Sequence, residues 1–285
     1  MKLTKDMQVL IVGLGLIGGS YAKALTSKGY HVSAITRSAA SIEYALENGI
    51  IAEGTTDIDP QLIGNADLLV FALYPHAFID WVRSNQQYLK SGAILTDVTG
   101  VKCSVVYEVQ ALLRPDVEFI AAHPMAGKEV SGVENCDETI FQKANYIVTP
   151  TDQNTENAIL LCEQLGWELG FARVSRLSPE AHDDMIGFLS QLTHCIAISL
   201  MNCNDTPGMD AYTGDSFRDL TRIARINDRM WAELFMQNRE QLLHHMDAFS
   251  ESFAAFRDML QQGDVDGMRE AMRRSTARRA LFDKK

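Results

Sequence analysis

Cysteine is scarce and unpaired in this chain. Five cysteines, at positions 103, 136, 162, 195 and 203, form no Cys-x-x-Cys pair and no zinc-type spacing. No disulfide framework and no metal constellation is expected, and reduced thiols in a cytoplasmic protein are the simplest reading. No run of about 18 apolar residues is present, so no transmembrane helix is expected. The first residues carry no basic segment followed by an apolar signal region, which argues against a secretory leader. Basic residues are also in short supply: 26 Lys and Arg face 37 Asp and Glu, a net charge of −11. A broad basic surface is thereby excluded, and with it ordinary nucleic-acid binding. A small anionic substrate is not, because local arginines can outweigh the global charge. There is no low-complexity tract and no internal repeat.

What is present is apolar material in quantity, 46% of 285 residues, enough for a large core and two domains. Up to about residue 175, short strand-like runs at 9–12, 31–35, 68–73, 93–97, 119–122 and 146–149 are separated by helical patterns near 18–27, 39–47, 76–88 and 102–112. Such alternation builds a mainly parallel, doubly wound α/β sheet. Beyond about residue 178 the strand signals stop. Ser178-Pro179-Glu180 reads as a helix start, and the chain then keeps a helical pattern to Leu281, broken at 204–208 and at Gly263-Asp264. The expected domains are therefore 1–175, an α/β sheet, and 176–285, all helical. The last helix, over 268–282, carries Arg269, Arg273, Arg274, Arg278 and Arg279, best read as a solvated or interface face.

The first strand runs directly into Gly13-x-Gly15-x-x-Gly18 and a helix. Gly13 permits the tight turn, Gly15 lets the backbone approach a pyrophosphate, and Gly18 lets helix and strand pack closely. Leu16 and Ile17 open the helix, whose N-terminus points free N–H groups at the phosphates. This is the dinucleotide-binding fingerprint of a Rossmann-type domain. An NAD site normally has Asp or Glu at the end of the second strand. Here that strand ends in Thr36-Arg37-Ser38 and the nearest acid is Glu43. Arg37 can pair with a 2′-phosphate, with Thr36 and Ser38 donating hydrogen bonds. The reading is NADP or NAD, with NADP preferred.

Ligands of a doubly wound sheet bind beyond the carboxyl ends of its strands. Leu73-Tyr74-Pro75, Asp97-Val98-Thr99-Gly100-Val101-Lys102 and His123-Pro124-Met125-Ala126-Gly127-Lys128-Glu129 fall there. A histidine at position 123 suits proton transfer near neutral pH, although it could equally cap the strand end. In the helical half, His182 and His194 lie twelve residues apart, roughly three turns, and so can share a face. Each could also be an ordinary core histidine. Arg218, Arg222, Arg225 and Arg229 follow i, i+4, i+7, i+11 and make one stripe on a single helix, either a salt-bridge network or a carboxylate clamp.

Taken in order, these segments resemble the prephenate/arogenate dehydrogenase family of tyrosine biosynthesis, from about Val9 to about Glu240. The resemblance rests on the glycine turn, Asp97-Val-x-x-Val-Lys102, His123-Pro-Met-Ala-Gly-Lys-Glu129, His182-Asp183, Ser190-x-x-x-His194 and Phe217-Arg-Asp-Leu-Thr-Arg222-Ile-Ala, followed by Trp231. It implies an oxidoreductase that decarboxylates prephenate to 4-hydroxyphenylpyruvate. His123 would accept the ring-hydroxyl proton, Arg222 would bind a substrate carboxylate, His194 would contact substrate, and Glu129 would shape and gate the pocket. Arg218 and Asp219 match positions near the site or between subunits, and the helical domain would form a homodimer. Many relatives have Gly-Ser where this chain has Thr99-Gly100. The serine hydroxyl that helps hold histidine and substrate must then come from Thr99 or a water, or be absent. No regulatory domain and no mutase segment is expected, which leaves tyrosine to compete at the active site. Arogenate is the alternative substrate. A β-hydroxyacid dehydrogenase would normally use a lysine in the helical half, where none occurs between Arg173 and Leu281. A non-catalytic nicotinamide-dinucleotide sensor would need no His123 and Arg222 together.

Overall fold

The computed structural model describes residues 2–283. The outermost residues of the expected domains, 1 and 284–285, lie outside the described residues. In chain order the first part comprises β1 (Gln8–Val12), α1 (Leu16–Ser27), β2 (His31–Ile35), α2 (Ala39–Glu47), β3 (Glu53–Thr55), α3 (Pro60–Asn65), β4 (Leu68–Phe71), α4 (Pro75–Asn85), β5 (Ile94–Asp97), α5 (Cys103–Leu112) and β6 (Glu118–Phe119). Its strands form one parallel sheet in the order β3-β2-β1-β4-β5-β6. This is the dinucleotide-binding order, with the chain reversing direction between β1 and β4. β1 and β4 are buried along almost their whole length, as parallel strands covered by helices on both faces must be.

The run expected as one strand at 119–122 divides instead. β6 ends at Phe119, and β7 (Ala121–Pro124) leaves the sheet to pair antiparallel with β8 (Asn145–Thr149). After α6 (Glu156–Leu169), β9 (Arg173–Arg176) joins β8 in parallel, giving a second sheet β7-β8-β9. Only β8 and part of β7 have the apolar character that marks a strand from sequence.

The helical part opens at α7 (Pro179–Ile186), capped by Ser178, whose hydroxyl accepts from Ala181 N–H. A π-helical stretch at Gly187–Leu192 leads into α8 (Thr193–Asn202). No transmembrane helix is expected from the sequence; the run Pro179–Asn202 is nonetheless long and apolar enough by length and composition alone, as core helices also can be. Its apolar outer side chains Phe188, Leu189 and Met201 are exposed. There follow α9 (Asp215–Thr221), α10 (Asp228–Gln237), α11 (Arg239–Gln262) and α12 (Val265–Arg279). The chain divides into two compact units between Asn238 and Arg239, α11 and α12 forming the second.

The arginine stripe is not on one helix. α9 ends at Thr221, a 3-10 turn spans Arg222–Ala224, and α10 begins after Asn227, whose side chain accepts from Met230 N–H. The break carries no Gly or Pro. The asparagine cap is the sequence signal that marks it.

Candidate active site

The glycine turn is built for close approach. Gly13 has φ +99°, and a Cβ there would meet the Ala72 carbonyl oxygen at 2.4 Å. A Cβ on Gly18 would lie 1.9 Å from the Gly13 oxygen, so helix and turn can touch only through glycine. Gly15 borders open space and caps α1 without any side-chain hydrogen bond. The first amides of α1, from Leu16, Ile17 and Gly18, are therefore free to receive an anion. Leu73 packs against this turn from the end of β4. At the end of β2, Thr36 N–H bonds the Thr55 carbonyl at 3.2 Å, Ser38 accepts from Ser41 N–H at 3.2 Å, and Arg37 is exposed. These residues fit a dinucleotide: a cradle that Cβ atoms would fill, an uncapped helix end and an exposed cation, Arg37, just past the end of β2.

Beyond the end of β5, Lys102 is completely buried. Its ammonium donates to Asp97 Oδ2 at 2.7 Å and Oδ1 at 3.0 Å, to the Ala122 carbonyl at 2.6 Å and to Thr99 Oγ1 at 3.2 Å. Burial pulls its pKa down, while Asp97 pushes the other way. Asp97 also accepts from Ala122 N–H at 3.1 Å. The end of β5 is thus locked to β7 one residue before His123. Thr99, one of the alternatives for the missing serine, donates its hydroxyl to Asp97 and lies 3.0 Å from the Val101 carbonyl. Its place is in the ion-pair cluster.

His123 meets a partner that sequence reasoning did not pair with it. Its Nδ1 lies 2.8 Å from Nε2 of His182, whose own Nδ1 lies 2.8 Å from Asp183 Oδ1. Asp183 accepts from the backbone N–H groups of Lys102 and Cys103, each at 2.8 Å, at the head of α5. Burial, then the neighbouring His182 and Lys102, holds the His123 pKa well below its usual value. Burial lowers that of His182 too, against the opposing effect of Asp183. Burial works to raise the Asp183 pKa, yet His182 and the two amides hold it down. A Cβ on Gly100 would sit 3.9 Å from His123 Nε2 and 3.6 Å from Leu234. The other face of the His123 ring therefore looks onto space that a larger residue could occupy.

In the helical half, Arg222 forms an ion pair with Glu129, joining the turn after α9 to the segment after β7. His194 stacks on Trp231, with ring centroids 3.7 Å apart, and its Nδ1 lies 2.8 Å from the Ser190 carbonyl. A carbonyl only accepts, so Nδ1 carries the hydrogen and Nε2 is left as an acceptor. Burial first, and then Arg222, lowers the His194 pKa. His182 and His194, expected to share one face, engage different partners on either side of the π-helical stretch. Arg218 pairs with Asp215 at 2.6 Å. It lines a cavity of about 720 Å³ with Phe217, Arg225, Trp231 and Phe235, to which neither His123 nor Arg222 contributes. A clasp joins the two halves: Glu233 on α10 accepts from His76 N–H at 2.8 Å, at the head of α4, and lies 2.7 Å from its Nδ1.

Residues 21–174 match the family model described as prephenate dehydrogenase, nucleotide-binding domain, and residues 178–274 match prephenate dehydrogenase, dimerization domain. The chain is 30% identical to a cyclohexadienyl dehydrogenase of Zymomonas mobilis, over 98% of this chain and 97% of that one. It is 27% identical to the prephenate dehydrogenase of Bacillus subtilis, over 94% and 74%. Its fold superposes with TM-score 0.91 and 29% identity on the prephenate dehydrogenase of Aquifex aeolicus in complex with hydroxyphenyl propionate and NAD+, covering 99% of this chain and all of that one.

Proposed function

The chain belongs to the prephenate dehydrogenase family, and from that premise we propose that it converts prephenate to 4-hydroxyphenylpyruvate. The observation that carries the reading is His123 held on β7 beside the carboxyl end of β5, its Nδ1 engaged by His182 and its Nε2 near Gly100, which carries no side chain. A bound nicotinamide dinucleotide supplies the hydride acceptor. Nε2 of His123 takes the proton of the ring hydroxyl as hydride leaves the same carbon; loss of the ring carboxylate as CO2 makes the ring aromatic, and the proton returns from His123 to the phenolate oxygen of the product. Arg222 receives a substrate carboxylate, which must displace Glu129. His194 presents Nε2 to the substrate, and Glu129 closes the pocket when it recovers Arg222. Thr99 acts through Asp97 and Lys102. Leu16, Ile17 and Gly18 hold the pyrophosphate.

Two assays test this. Purified protein with prephenate and either cofactor is expected to reduce the cofactor. No turnover with prephenate, alongside turnover with arogenate, would move the assignment to arogenate, and turnover with both would match the cyclohexadienyl dehydrogenase relative. Arg222→Ala is expected to raise KM for prephenate roughly ten- to a hundredfold, the worth of one charged hydrogen bond, with the circular dichroism spectrum unchanged. An unchanged KM would pass the clamp to Arg218 or Arg225.

For the cofactor we favour NADP. Arg37 stands exposed where an acid would hold the ribose 2′-hydroxyl, and its fork suits a 2′-phosphate. Arg37→Ala should lower kcat/KM with NADP by about tenfold or more and leave the NAD value nearly unchanged. A wild-type preference for NAD would refute the choice.

A homodimer is supported by the dimerization-domain match and by α11. Leu242, Met246, Phe249, Phe253, Phe256 and Leu260 alternate at three and four residues along it, and Phe253 and Leu260 are 66% and 65% exposed. A stripe at this spacing is the seam of a packed helix pair. The free thiols at 103, 136, 162, 195 and 203 suit the cytoplasm. The boundary near residue 175 is supported by family matches that end at 174 and begin at 178.

A further inference from the structure

We propose that His182 and Asp183 are positioning residues that fix His123 as the Nδ1–H tautomer, so that Nε2 is its only basic nitrogen. This rests on the reading of His123 as the general base, and extends it to two residues that touch no substrate.

The Asp183 carboxylate only accepts, and its oxygens are held by the amides of Lys102 and Cys103 as well as facing His182 Nδ1. His182 Nδ1 must then carry a hydrogen. A neutral imidazole has one N–H, which leaves His182 Nε2 as a lone pair. That lone pair lies 2.8 Å from His123 Nδ1, so His123 Nδ1 must be the donor. By the same count, His123 Nε2 is a lone pair, and it faces the gap at Gly100. Each ring is the orienter of the next, and the chain is anchored where the N-terminus of α5 adds its own favourable field for the carboxylate.

The same line stabilises the charged state. When the substrate O–H bond breaks and an N–H bond forms at His123 Nε2, the ring becomes a cation. The Nδ1 hydrogen then points through His182 toward a carboxylate. The charged and titratable groups facing this line are Asp183 and Glu180 from α7, Lys102 and Cys103 at the head of α5, Asp97 from β5 and His123 itself from β7. The Cys103 thiol, pushed up to about 12 by burial and by Asp183, is neutral. Lys102 is already neutralised by Asp97, which leaves Asp183 as the anion available to His182. Asn238 holds the segment from behind, donating its amide to the Asp183 carbonyl at 2.8 Å and to Gln191 Oε1 at 2.7 Å.

The test has one arm without substrate and one with it. Long-range 15N–1H spectra of the wild-type protein at neutral pH should show both His123 and His182 as Nδ1–H tautomers; His123 found as Nε2–H would overturn the proposal. In the second arm, Asp183→Ala removes the acceptor that keeps the hydrogen on His182 Nδ1, so neither ring is held in one tautomer. It should lower kcat by about tenfold or more, because the base is no longer oriented, with KM for the cofactor unchanged and His123 now read as a mixture that includes Nε2–H. A folded Asp183→Ala protein that keeps more than about a third of wild-type kcat would overturn it. If Asp183→Ala does not fold, the wild-type spectra decide alone. An inactive wild type with correct tautomers would count against the assigned reaction and leave the orienting chain standing.

Discussion

His123→Asn is expected to lower kcat by at least about a hundredfold and to leave cofactor affinity nearly unchanged. A positioned general base is worth roughly a hundred- to ten-thousandfold, and His123 is the histidine that stands just beyond the end of β5. Asparagine keeps a polar atom near His182, so the neighbouring lock between Asp97, Lys102 and Ala122 survives. The glycine turn that receives the dinucleotide does not involve His123. The loss should therefore fall on kcat, measured from initial rates of cofactor reduction, with the dissociation constant of the cofactor read separately by fluorescence. A variant that keeps more than about a tenth of wild-type kcat would remove His123 from the role of base. The pH profile carries a second sign. The base works only when neutral, so activity is lost as pH falls through its pKa. Because burial, His182 and Lys102 set that pKa well below the ordinary value of about 6.5, the acid limb of kcat/KM for the free enzyme should lie below pH 6.5.

How much of this was legible in the sequence depends on how local each feature is. The glycine turn and the strands beside it could be read because turn chemistry and apolar runs are local signals, and β2 ends where the sequence says it ends, at Ile35. The second sheet could not. β9 is Arg-Val-Ser-Arg, without the apolar character of a strand, and it exists because β8 offers it a partner. The arginine stripe satisfied helical spacing yet crosses a turn, because side-chain period alone does not show where a helix stops. The pairing of His123 with His182 spans 59 residues of sequence, and no spacing rule reaches that far. Asp97 and Lys102 were visible as a pair of motif positions. Their complete burial was not, since lysine is almost never enclosed. The two histidines and the buried lysine together show the same limit. Which residues carry chemistry was readable, and which of them touch was a property of the fold.

That buried lysine gives the second large effect. Lys102→Met is expected to destabilise the protein by about 3–5 kcal/mol, the usual result of removing one partner of a buried ion pair. The side chains of Lys102 and Asp97 are both wholly buried. Methionine fills much of the same volume, so packing changes little and the loss comes from the charge left behind. Asp97 would keep the amides of Ala122 and Thr99 but have no cation, and the Ala122 carbonyl would lose its 2.6 Å donor. For a domain of this size each kcal/mol shifts the melting temperature by about 2–4 °C, so a fall of roughly 6–20 °C is expected by scanning calorimetry. Adding Asp97→Asn to Lys102→Met removes the orphaned charge while retaining one acceptor oxygen for the amides of Ala122 and Thr99, and it should recover part of the loss. That recovery distinguishes an electrostatic penalty from a packing defect, because a packing defect would add in the double variant. A single variant that melts within about 2 °C of wild type would show that the pair contributes little to the fold, and that its place beneath His123 serves the site alone.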